Sequence, residues 1–328
     1  MFRLVGNEEL GIGHIHRCIT LARKLSLTGH FMIPESSALA SKILQKNGFH
    51  CEIFSSFGDF LEMLSLKEPV LLVNDVLDTS EEEMKSIREI MRGFIVNFED
   101  LGSGRKYADL VINALYQSDS KLENERFGPK WVCLRDEFSK LNRYDHRKLE
   151  PTIMVIFGGT DPSGYTSSTL EVLQSLPESE SFRLIVVAGP GFSNSSSVSK
   201  FLHNSAKDFK EVSFFQDVES MCTLMQKSDF AITSNGRTVF EFASQGIPMI
   251  VICQNERELK HTFTDICGGA INLGVDANFP RERAIAAIKS LLDPSLRAKM
   301  SKSLLKFEIR SGVDRVVDEI LKGLQNQT

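Results

Sequence analysis

The chain has 328 residues, of which 42% are hydrophobic and 25% are charged, and its formal net charge is -5. This length exceeds the size at which a single hydrophobic core usually divides, so two domains of roughly 150 residues each are expected. The acidic balance argues against a protein that binds nucleic acid. The apolar runs are about 5 to 8 residues long, far short of the roughly 20 that a membrane helix needs, so no membrane span is expected.

The six cysteines are widely separated, and no two of them have the C-x-x-C spacing of zinc or redox motifs. We therefore expect reduced thiols and a cytoplasmic location. The first residues, MFRLVGNEELGIGH, contain no apolar core of a signal peptide. They begin inside the first predicted strand, a pattern that also fits a trimmed or split form of a larger polypeptide.

Short apolar runs alternate with longer amphipathic stretches, which predicts a doubly wound α/β architecture with right-handed crossovers. Helices are expected at Gly13–Leu27 and at Ser80–Met91, where Ser80 is the N-cap and glutamates fill the first turn. The apolar runs are continuous, as in parallel strands that are buried on both faces. The predicted strands are Val70–Asn74, Phe94–Asn97, Leu110–Asn113, Thr152–Phe157, Arg183–Ala188, Val212–Gln216, Phe230–Thr233 and Met249–Cys253.

The polar segment Lys140–Pro151 separates two such alternating regions and predicts the linker between the domains. We expect a Rossmann-like N-terminal domain at 1–145 and a Rossmann-like C-terminal domain at 150–305. The last predicted helix, Gly312–Leu324, follows another helix without an intervening strand. By analogy with other two-domain folds, the segment 306–328 is expected to cross back to the first domain.

The first glycine loop, GIGH, leads into the first helix and places Gly11 and Gly13 where backbone could approach a ligand. His14 is expected at the carboxyl end of the first strand, where a neutral imidazole can take a proton from water or a sugar hydroxyl. The alternative is a structural histidine, or one that caps its own helix. Arg17, one turn later, is either a ligand for phosphate or carboxylate or a solvated helix residue.

A second glycine loop, GGTDPSG, follows the strongest predicted strand. The N–H groups of Gly158, Gly159 and Thr160 are candidates for binding a diphosphate, together with Asp161. The alternative is a plain turn in which Asp161 is the helix N-cap. Gly189 lies in a further loop, AGPGF, which would let a base or ribose approach backbone but is also common in ordinary turns.

The stretch SNGRTVFEFASQGIP at 234–248 follows a strand and predicts a helix that begins near Gly236 and ends before Gly246. The N–H groups at the start of such a helix can bind an anion. Glu241, on this helix, would accept hydrogen bonds from ribose hydroxyls or would be a surface acid. The other binding candidates in this region are Ser234, Asn235, Thr238, Gln254 and Asn255.

Motifs for metals and common cofactors are missing from the sequence. It contains no D-x-D, Walker A or H-E-x-x-H motif. The N-terminal loop also has His16 where a dinucleotide-binding fingerprint has its third glycine. We therefore expect a protein that needs neither a metal ion nor a cofactor.

In these motifs the chain resembles the UDP-sugar hydrolases of bacterial pseudaminic acid synthesis and the related spore-coat polysaccharide proteins. It is more distantly similar to the MurG-type glycosyltransferases. The motifs are GIGHIHRC, WVCLRDEF, FGGTDPSG, VAGPGF, SNGRTVFEFASQGIP and CQNERE, in this order over nearly the whole chain. The resemblance implies the GT-B fold, in which two Rossmann-like doubly wound domains face each other across a cleft.

The resemblance also implies roles for individual residues. His14 matches the histidine proposed as general base, which would activate water against the anomeric carbon and invert it. Glu241 matches the residue that grips ribose in the wider superfamily, and Asn255 matches a polar position near the sugar. UDP would leave without a metal ion, its diphosphate held by backbone N–H groups and by the helix near Gly236.

The chain departs from the hydrolase pattern at two places. Leu77 stands where the hydrolases have the tyrosine of a D-x-Y segment, and Phe98-Glu99-Asp100 replaces an acidic pair. Three functions therefore remain under consideration. They are a hydrolase for a UDP-linked amino or deoxy sugar in nonulosonate or surface polysaccharide synthesis, a glycosyltransferase with the same donor site, and a non-catalytic sugar-nucleotide-binding partner of another biosynthetic enzyme.

Overall fold

The computed structural model describes residues 1–6, 12–27, 29–117, 122–141, 149–189, 191–192, 195–216, 218, 220–276 and 278–327. The chain forms two compact units. Unit 1 contains Met1–Asp136 and Ser311–Thr328, and unit 2 contains Glu137–Arg310. The boundary after Asp136 lies a few residues before the predicted linker, Lys140–Pro151. The N-terminal unit therefore takes in the last helix of the chain.

Unit 1 is built on a parallel sheet in which all pairings are parallel, in the order β3-β2-β1-β4-β5-β6-β7. Its central strands are short, apolar and buried, which is why the sequence shows them as continuous apolar runs. The strands are β1 Phe2–Leu4, β2 Phe31–Pro34, β3 Cys51–Phe54, β4 Leu71–Asp75, β5 Phe94–Phe98, β6 Leu110–Asn113 and β7 Glu125–Phe127.

Helices cover both faces of this sheet, because successive strand residues point to opposite sides. Val73 and Val96 lie in the core on one face, and Leu72 and Ile95 lie in the core on the other. The helices of unit 1 are α1 Gly13–Lys24, α2 Ala38–Lys46, α3 Phe57–Lys67, α4 Glu81–Ile90 and, from the end of the chain, α13 Gly312–Gln325. Ser80 accepts a hydrogen bond from the Glu83 N–H at 3.1 Å, which confirms it as the N-cap of α4.

Unit 2 repeats this plan with a parallel sheet in the order β10-β9-β8-β11-β12-β13. Its strands are β8 Thr152–Ile156, β9 Arg183–Ala188, β10 Glu211–Gln216, β11 Phe230–Thr233, β12 Met249–Val251 and β13 Ala270–Asn272. Its helices are α5 Tyr165–Gln174, α6 Ser195–Ser205, α7 Met221–Met225, α8 Thr238–Ser244, α9 Glu256–Leu259, α10 Phe263–Ile266, α11 Arg281–Leu291 and α12 Pro294–Leu304. Two doubly wound α/β units are the fold class expected from the sequence.

The final helix, α13, supplies core residues to unit 1. Val313, Val316 and Ile320 are buried in the same apolar cluster as the residues of β1 and α1. A Cβ atom on Gly312 would lie 2.1 Å from the carbonyl oxygen of Val132, so only glycine allows the start of α13 to pack this closely. Helix α13 is therefore an integral part of the core of unit 1.

Strand β10 corrects one expectation. It was predicted as a strand buried on both faces, but it is the edge strand of its sheet and its residues are half-buried or exposed. An edge strand pairs on one side only, and its neighbour β9 covers that side.

Candidate functional site

In unit 1, the order of the strands reverses between β1 and β4, and this is where open α/β sheets form a crevice at the carboxyl ends of their strands. His14 lies here in the first turn of α1, and Asp75 is the last residue of β4. The His14 Nδ1 atom is in hydrogen-bonding contact with the Asp75 carboxylate. No side chain caps the start of α1, where Ile12 is the N-cap residue. His14 therefore does not cap its own helix, and its side chain contacts the Asp75 carboxylate.

Asp75 is fully buried and bonded on both oxygens. Arg17 donates from Nε to Oδ2 and from Nη2 to Oδ1, each at 2.7 Å. Burial by itself would raise the pKa of Asp75, but the charges of Arg17 and His14 outweigh it and hold that pKa well below its usual range. An ionised carboxylate can only accept a hydrogen bond, so the contact favours His14 Nδ1 as the donor, and in the neutral imidazole the other nitrogen, Nε2, is then an acceptor.

Glu99 completes this group of charged side chains, which we call the His14 cluster: His14, Arg17, Asp75 and Glu99. Arg17 donates from Nη1 to Glu99 Oε1 at 2.8 Å, and its guanidinium lies 4.7 Å from the ring centroid of Phe98. Glu99 is 1% exposed and has a φ of 52°. A non-glycine residue in this region is strained, and such strain is found mainly at functional sites.

The position of Arg17 corrects the sequence analysis. Arg17 is 2% exposed, and its donors are bound to Asp75 and Glu99, so it is neither a solvated helix residue nor placed to bind a ligand directly. Asp75 and Glu99 were not identified as functional residues. The signal was present for Asp75, because an acid at the end of a strand buried on both faces needs a charged partner.

In unit 2, the strand order reverses between β8 and β11. Residues 158–161 follow β8 and residues 234–236 follow β11, so the two predicted loops meet at this switch point, as a Cβ atom on Gly158 would lie 3.8 Å from Ser234 Oγ. Among the described residues, no hydrogen bond is seen to the backbone N–H groups of Gly158, Gly159 and Thr160. This loop therefore offers three donors for an anion.

Gly189 packs closely against the backbone of the same loop. A Cβ atom at Gly189 would lie 2.4 Å from the Cα atom of Gly159, and the Gly191 N–H donates to the Gly159 carbonyl at 3.0 Å. Gly189 was predicted to let a ligand approach backbone. The close approach seen in the structure is to the neighbouring loop.

Asp161 takes the role of a helix cap. Its carboxylate accepts the N–H groups of Tyr165 and Thr166, each at 2.9 Å, and the residue has a φ of 48°. Burial raises the pKa of Asp161, although these hydrogen bonds oppose the shift. The structural alternative considered from the sequence had Asp161 as the N-cap itself, whereas Gly164 holds that position and Asp161 binds the first N–H groups of α5 from three residues earlier.

The Asn235 side chain is fully buried, which corrects its assignment as a direct ligand contact. It donates to the carbonyl oxygens of Glu258 and His261, at 2.9 and 3.1 Å, and accepts from Thr264 Oγ1 at 3.2 Å. The Glu258 carboxylate, which the sequence analysis overlooked, accepts the backbone N–H groups of Asn235 and Gln254, at 3.2 and 2.8 Å. Burial raises the pKa of Glu258, although these two hydrogen bonds oppose the shift. Asn235 therefore positions the loop.

The expected anion site at the helix after β11 also needs revision. Helix α8 begins at Thr238, two residues later than predicted, and a Cβ atom on Gly236 would lie 3.6 Å from a carboxylate oxygen of Glu258. The Glu258 carboxyl group already occupies two backbone N–H groups of these loops, those of Asn235 and Gln254, so it competes with an anion there. The donors of Gly158 and Gly159 are the better candidates for a diphosphate.

The remaining predicted residues are placed as follows. Glu241 lies in the first turn of α8 and is half-buried. Asn255 is the N-cap of α9, accepting from the Glu258 N–H at 3.0 Å, and Gln254 donates to the Phe157 carbonyl at 3.2 Å. Gly13 is the first residue of α1, and Gly11 lies outside the described residues.

Two features are absent from the part of the chain that the structure describes. No helix in it combines the length and the apolar character needed to cross a membrane. No group of three or more histidine, cysteine, aspartate or glutamate side chains in it is arranged to hold a metal ion.

Comparison with known proteins finds relatives in sequence and neighbours in structure. No family model matches it. An uncharacterized protein of Methanocaldococcus jannaschii is 33% identical over 76% of this chain, which spans only 54% of that relative. The spore coat polysaccharide biosynthesis protein SpsG of Bacillus subtilis is 25% identical, with 98% of this chain and 97% of SpsG aligned. The chain belongs to the SpsG-like proteins of the GT-B fold.

One further sequence relative and two solved structures are also similar to this chain. The UDP-2,4-diacetamido-2,4,6-trideoxy-beta-L-altropyranose hydrolase of Campylobacter jejuni is 24% identical over 74% of this chain and 86% of its own. Acinetobacter baumannii MurG has a TM-score of 0.69 at 11% identity, covering 98% of this chain and 99% of its own. Anabaena HepE, whose structure contains UDP and glucose, has a TM-score of 0.61 at 15% identity, covering 99% and 98%. At such identities the structural likeness establishes the GT-B fold alone.

Proposed function

We propose that this SpsG-like chain hydrolyses a UDP-linked amino or deoxy sugar without a metal ion and releases UDP and the free sugar. The observation that carries the proposal is the contact between His14 and the buried, ionised carboxylate of Asp75. This contact supports the orientation and the tautomer that a general base requires. The name of the Campylobacter relative supports the substrate class, and the name of SpsG supports a role in polysaccharide synthesis.

The reaction assigned to unit 1 is the activation of water. His14 Nε2 takes a proton from a water molecule while the water oxygen forms a bond to the anomeric carbon. The bond between that carbon and the UDP oxygen breaks, and its electron pair leaves with UDP. The imidazolium that forms is stabilised by the carboxylate of Asp75, and attack opposite the leaving group inverts the anomeric centre.

The task assigned to unit 2 is to bind the nucleotide. The N–H groups of Gly158, Gly159 and Thr160 are proposed to hold the diphosphate, and Glu241 is proposed to accept hydrogen bonds from the ribose hydroxyls. Ser234, Gly236, Thr238, Gln254 and Asn255 border these groups in the chain and remain proposed contacts. Gly11 and Gly13 remain proposed contacts of unit 1.

The experiment that tests the proposal follows UDP release from a panel of UDP-linked acetamido sugars, with EDTA present and no acceptor. Steady release is expected from the unaltered chain. We expect a loss of about 10²–10⁴-fold in His14→Gln, because general bases typically contribute that much. His30→Gln is the matched control, since the His30 side chain is 66% exposed, and its activity should be unchanged.

A different result would redirect the proposal. If no sugar nucleotide releases UDP, hydrolysis is rejected. If UDP still binds, and binding is lost in Glu241→Ala but kept in the exposed helix variant Glu282→Ala, the nucleotide site stands. A glycosyltransferase would then be the better assignment, or a non-catalytic sugar-nucleotide-binding partner, which Leu77 at the position of the hydrolase tyrosine favours.

A further inference from the structure

The carboxylate of Asp75 is held from two sides at once. Arg17 binds the carboxylate in a bidentate manner, donating one hydrogen bond of 2.7 Å to each oxygen. His14 Nδ1 contacts Oδ1. The Cys18 thiol adds a weak contact at 3.6 Å to Oδ2. A planar guanidinium that binds two oxygens fixes the plane of a carboxylate, which a lysine ammonium cannot do.

Arg17 is itself held by Glu99. Arg17 Nη1 donates to Glu99 Oε1 at 2.8 Å, and Glu99 Oε2 accepts the Leu115 N–H at 3.3 Å. The ring of Phe98 packs on the guanidinium at 4.7 Å. Since the Arg17 and Glu99 side chains are almost fully buried, neither can exchange its partner for water.

The two carboxylates that Arg17 binds, those of Asp75 and Glu99, are both buried. An imidazolium that forms on His14 during proton transfer would lie against the Asp75 carboxylate, and opposite charges in contact attract each other more strongly in a buried site than in water.

We propose that Arg17 and Glu99 are positioning residues that lock the Asp75 carboxylate, keep the His14 proton on Nδ1 and leave Nε2 directed to the reacting water. The kinetic part of this inference rests on the proposed hydrolase function. The tautomer part does not, because it concerns the state of His14 in the unliganded protein.

The test uses the full chain labelled with ¹⁵N-histidine, in which the chemical shifts of the two ring nitrogens report the tautomer. The His14 signals are assigned by their disappearance in His14→Gln. The unaltered chain is expected to show one tautomer, with the proton on Nδ1. Arg17→Lys keeps the positive charge but removes the bidentate contact with Asp75. Glu99→Gln keeps the shape of the side chain but removes its negative charge. Both variants should show a mixture of the two His14 tautomers.

The kinetic readout accompanies the spectra. Where turnover is found, Glu99→Gln should lower kcat about tenfold with KM within about twofold, because the loss concerns proton transfer and not substrate binding. Glu52→Gln is the matched control, since it removes a surface glutamate that pairs with Lys67 at 2.7 Å. It should change neither the spectra nor kcat.

Two outcomes would overturn the inference. One is an unchanged His14 tautomer in both variants, whatever their stability, since a purely structural role changes the melting temperature alone. The other is a mixture of tautomers in the unaltered chain. If Arg17→Lys fails to fold, Glu99→Gln decides, and if no sugar nucleotide is hydrolysed, the spectra still decide while the hydrolase proposal fails separately.

Discussion

Several residues that follow strands in this chain hold a backbone conformation that is unusual for a residue with a side chain. Leu77, Glu99 and Asp161 have positive φ angles, and each lies just after a strand, at the carboxyl edge of its sheet. Residues of this kind cannot be identified from composition or periodicity, because their conformation is imposed by neighbours that are distant in sequence. The ion pair between Arg17 and Glu99 spans 82 positions in the chain and shows the same limit.

His261 should make the stability of unit 2 depend on pH. Burial lowers its pKa to about 4, although the hydrogen bond to the Asn235 carbonyl opposes the shift. The unfolded chain binds this proton near pH 6.5 and the folded chain only near pH 4, so stability is lost as the pH falls through this window. The loss should reach about 3 kcal/mol.

Urea unfolding of the unaltered chain and of His261→Gln between pH 7 and pH 4 would check this prediction. The difference in unfolding free energy between the two proteins should shrink toward acid pH, because the variant has no histidine to protonate. His30→Gln should follow the unaltered chain throughout. Parallel curves for the unaltered chain and His261→Gln would contradict the assignment.

At the scale of helices and strands, most of the buried apolar runs were predictable as strands, and four shorter strands were not. Each of the eight predicted strands overlaps an observed strand, for example Arg183–Ala188, which is reproduced at both ends. No strand is predicted at β2, β3, β7 or β13, which have only three or four residues each. In such strands, pairing with a neighbour and not local pattern determines the structure.

The candidate site was predicted only in outline. His14 and the glycine loops after β8 and β11 were found because they follow strong strands, and strand ends gather at one edge of a parallel sheet. The sequence did not predict which loop residues bond to neighbouring backbone and which remain available to a ligand. Asn235 and Gly189 support neighbouring backbone, and Glu258 bonds to N–H groups that a ligand was expected to use.

Gly189→Ala should displace the loop that carries the proposed diphosphate donors. The added Cβ would overlap the backbone of Gly159, and backbone cannot move aside as a flexible side chain can. We expect UDP to bind about tenfold more weakly and unit 2 to lose about 1–3 kcal/mol of stability. Calorimetric titration with UDP, together with thermal unfolding, would measure both effects.

Gly58→Ala is the control for this substitution. Its added Cβ would lie 3.6 Å from Ser56 Oγ, an ordinary contact, and alanine favours the helix at this position. UDP affinity should be unchanged in this variant. Equal affinity in Gly189→Ala and the unaltered chain would show that residues 158–160 do not bind the nucleotide.

At the scale of the whole molecule, the units differ in how the chain builds them. Unit 2 is one continuous segment, whereas unit 1 joins the first 136 residues to the last helix. Lys24 connects these two pieces, since its Nζ atom lies 3.4 Å from Asp136 and 2.9 Å from Asp314. The packing of α13 in unit 1 could be expected from the sequence only by analogy, because the amphipathic pattern of a helix does not show which sheet the helix covers.

Removal of residues 311–328 should therefore destabilise unit 1 selectively. Burial of Val313, Val316 and Ile320 contributes roughly 5 kcal/mol or more, which is comparable with the whole stability of a typical domain. Limited proteolysis should cut the truncated protein within residues 1–136 and leave 137–310 resistant. A chain that lacks only residues 326–328, beyond the end of α13, should resist cleavage like the full chain, and resistance of both forms would refute the role of α13.

The late position of α13 has a consequence for synthesis. When a ribosome has completed the first 136 residues, the groove that α13 fills in unit 1 is still open, and roughly 170 further residues must be made before the helix emerges. At roughly 5–20 residues per second this interval lasts roughly 10–30 seconds. Unit 2 is complete first and can fold first, while the nascent N-terminal half presents an apolar surface that invites chaperones or aggregation until translation ends.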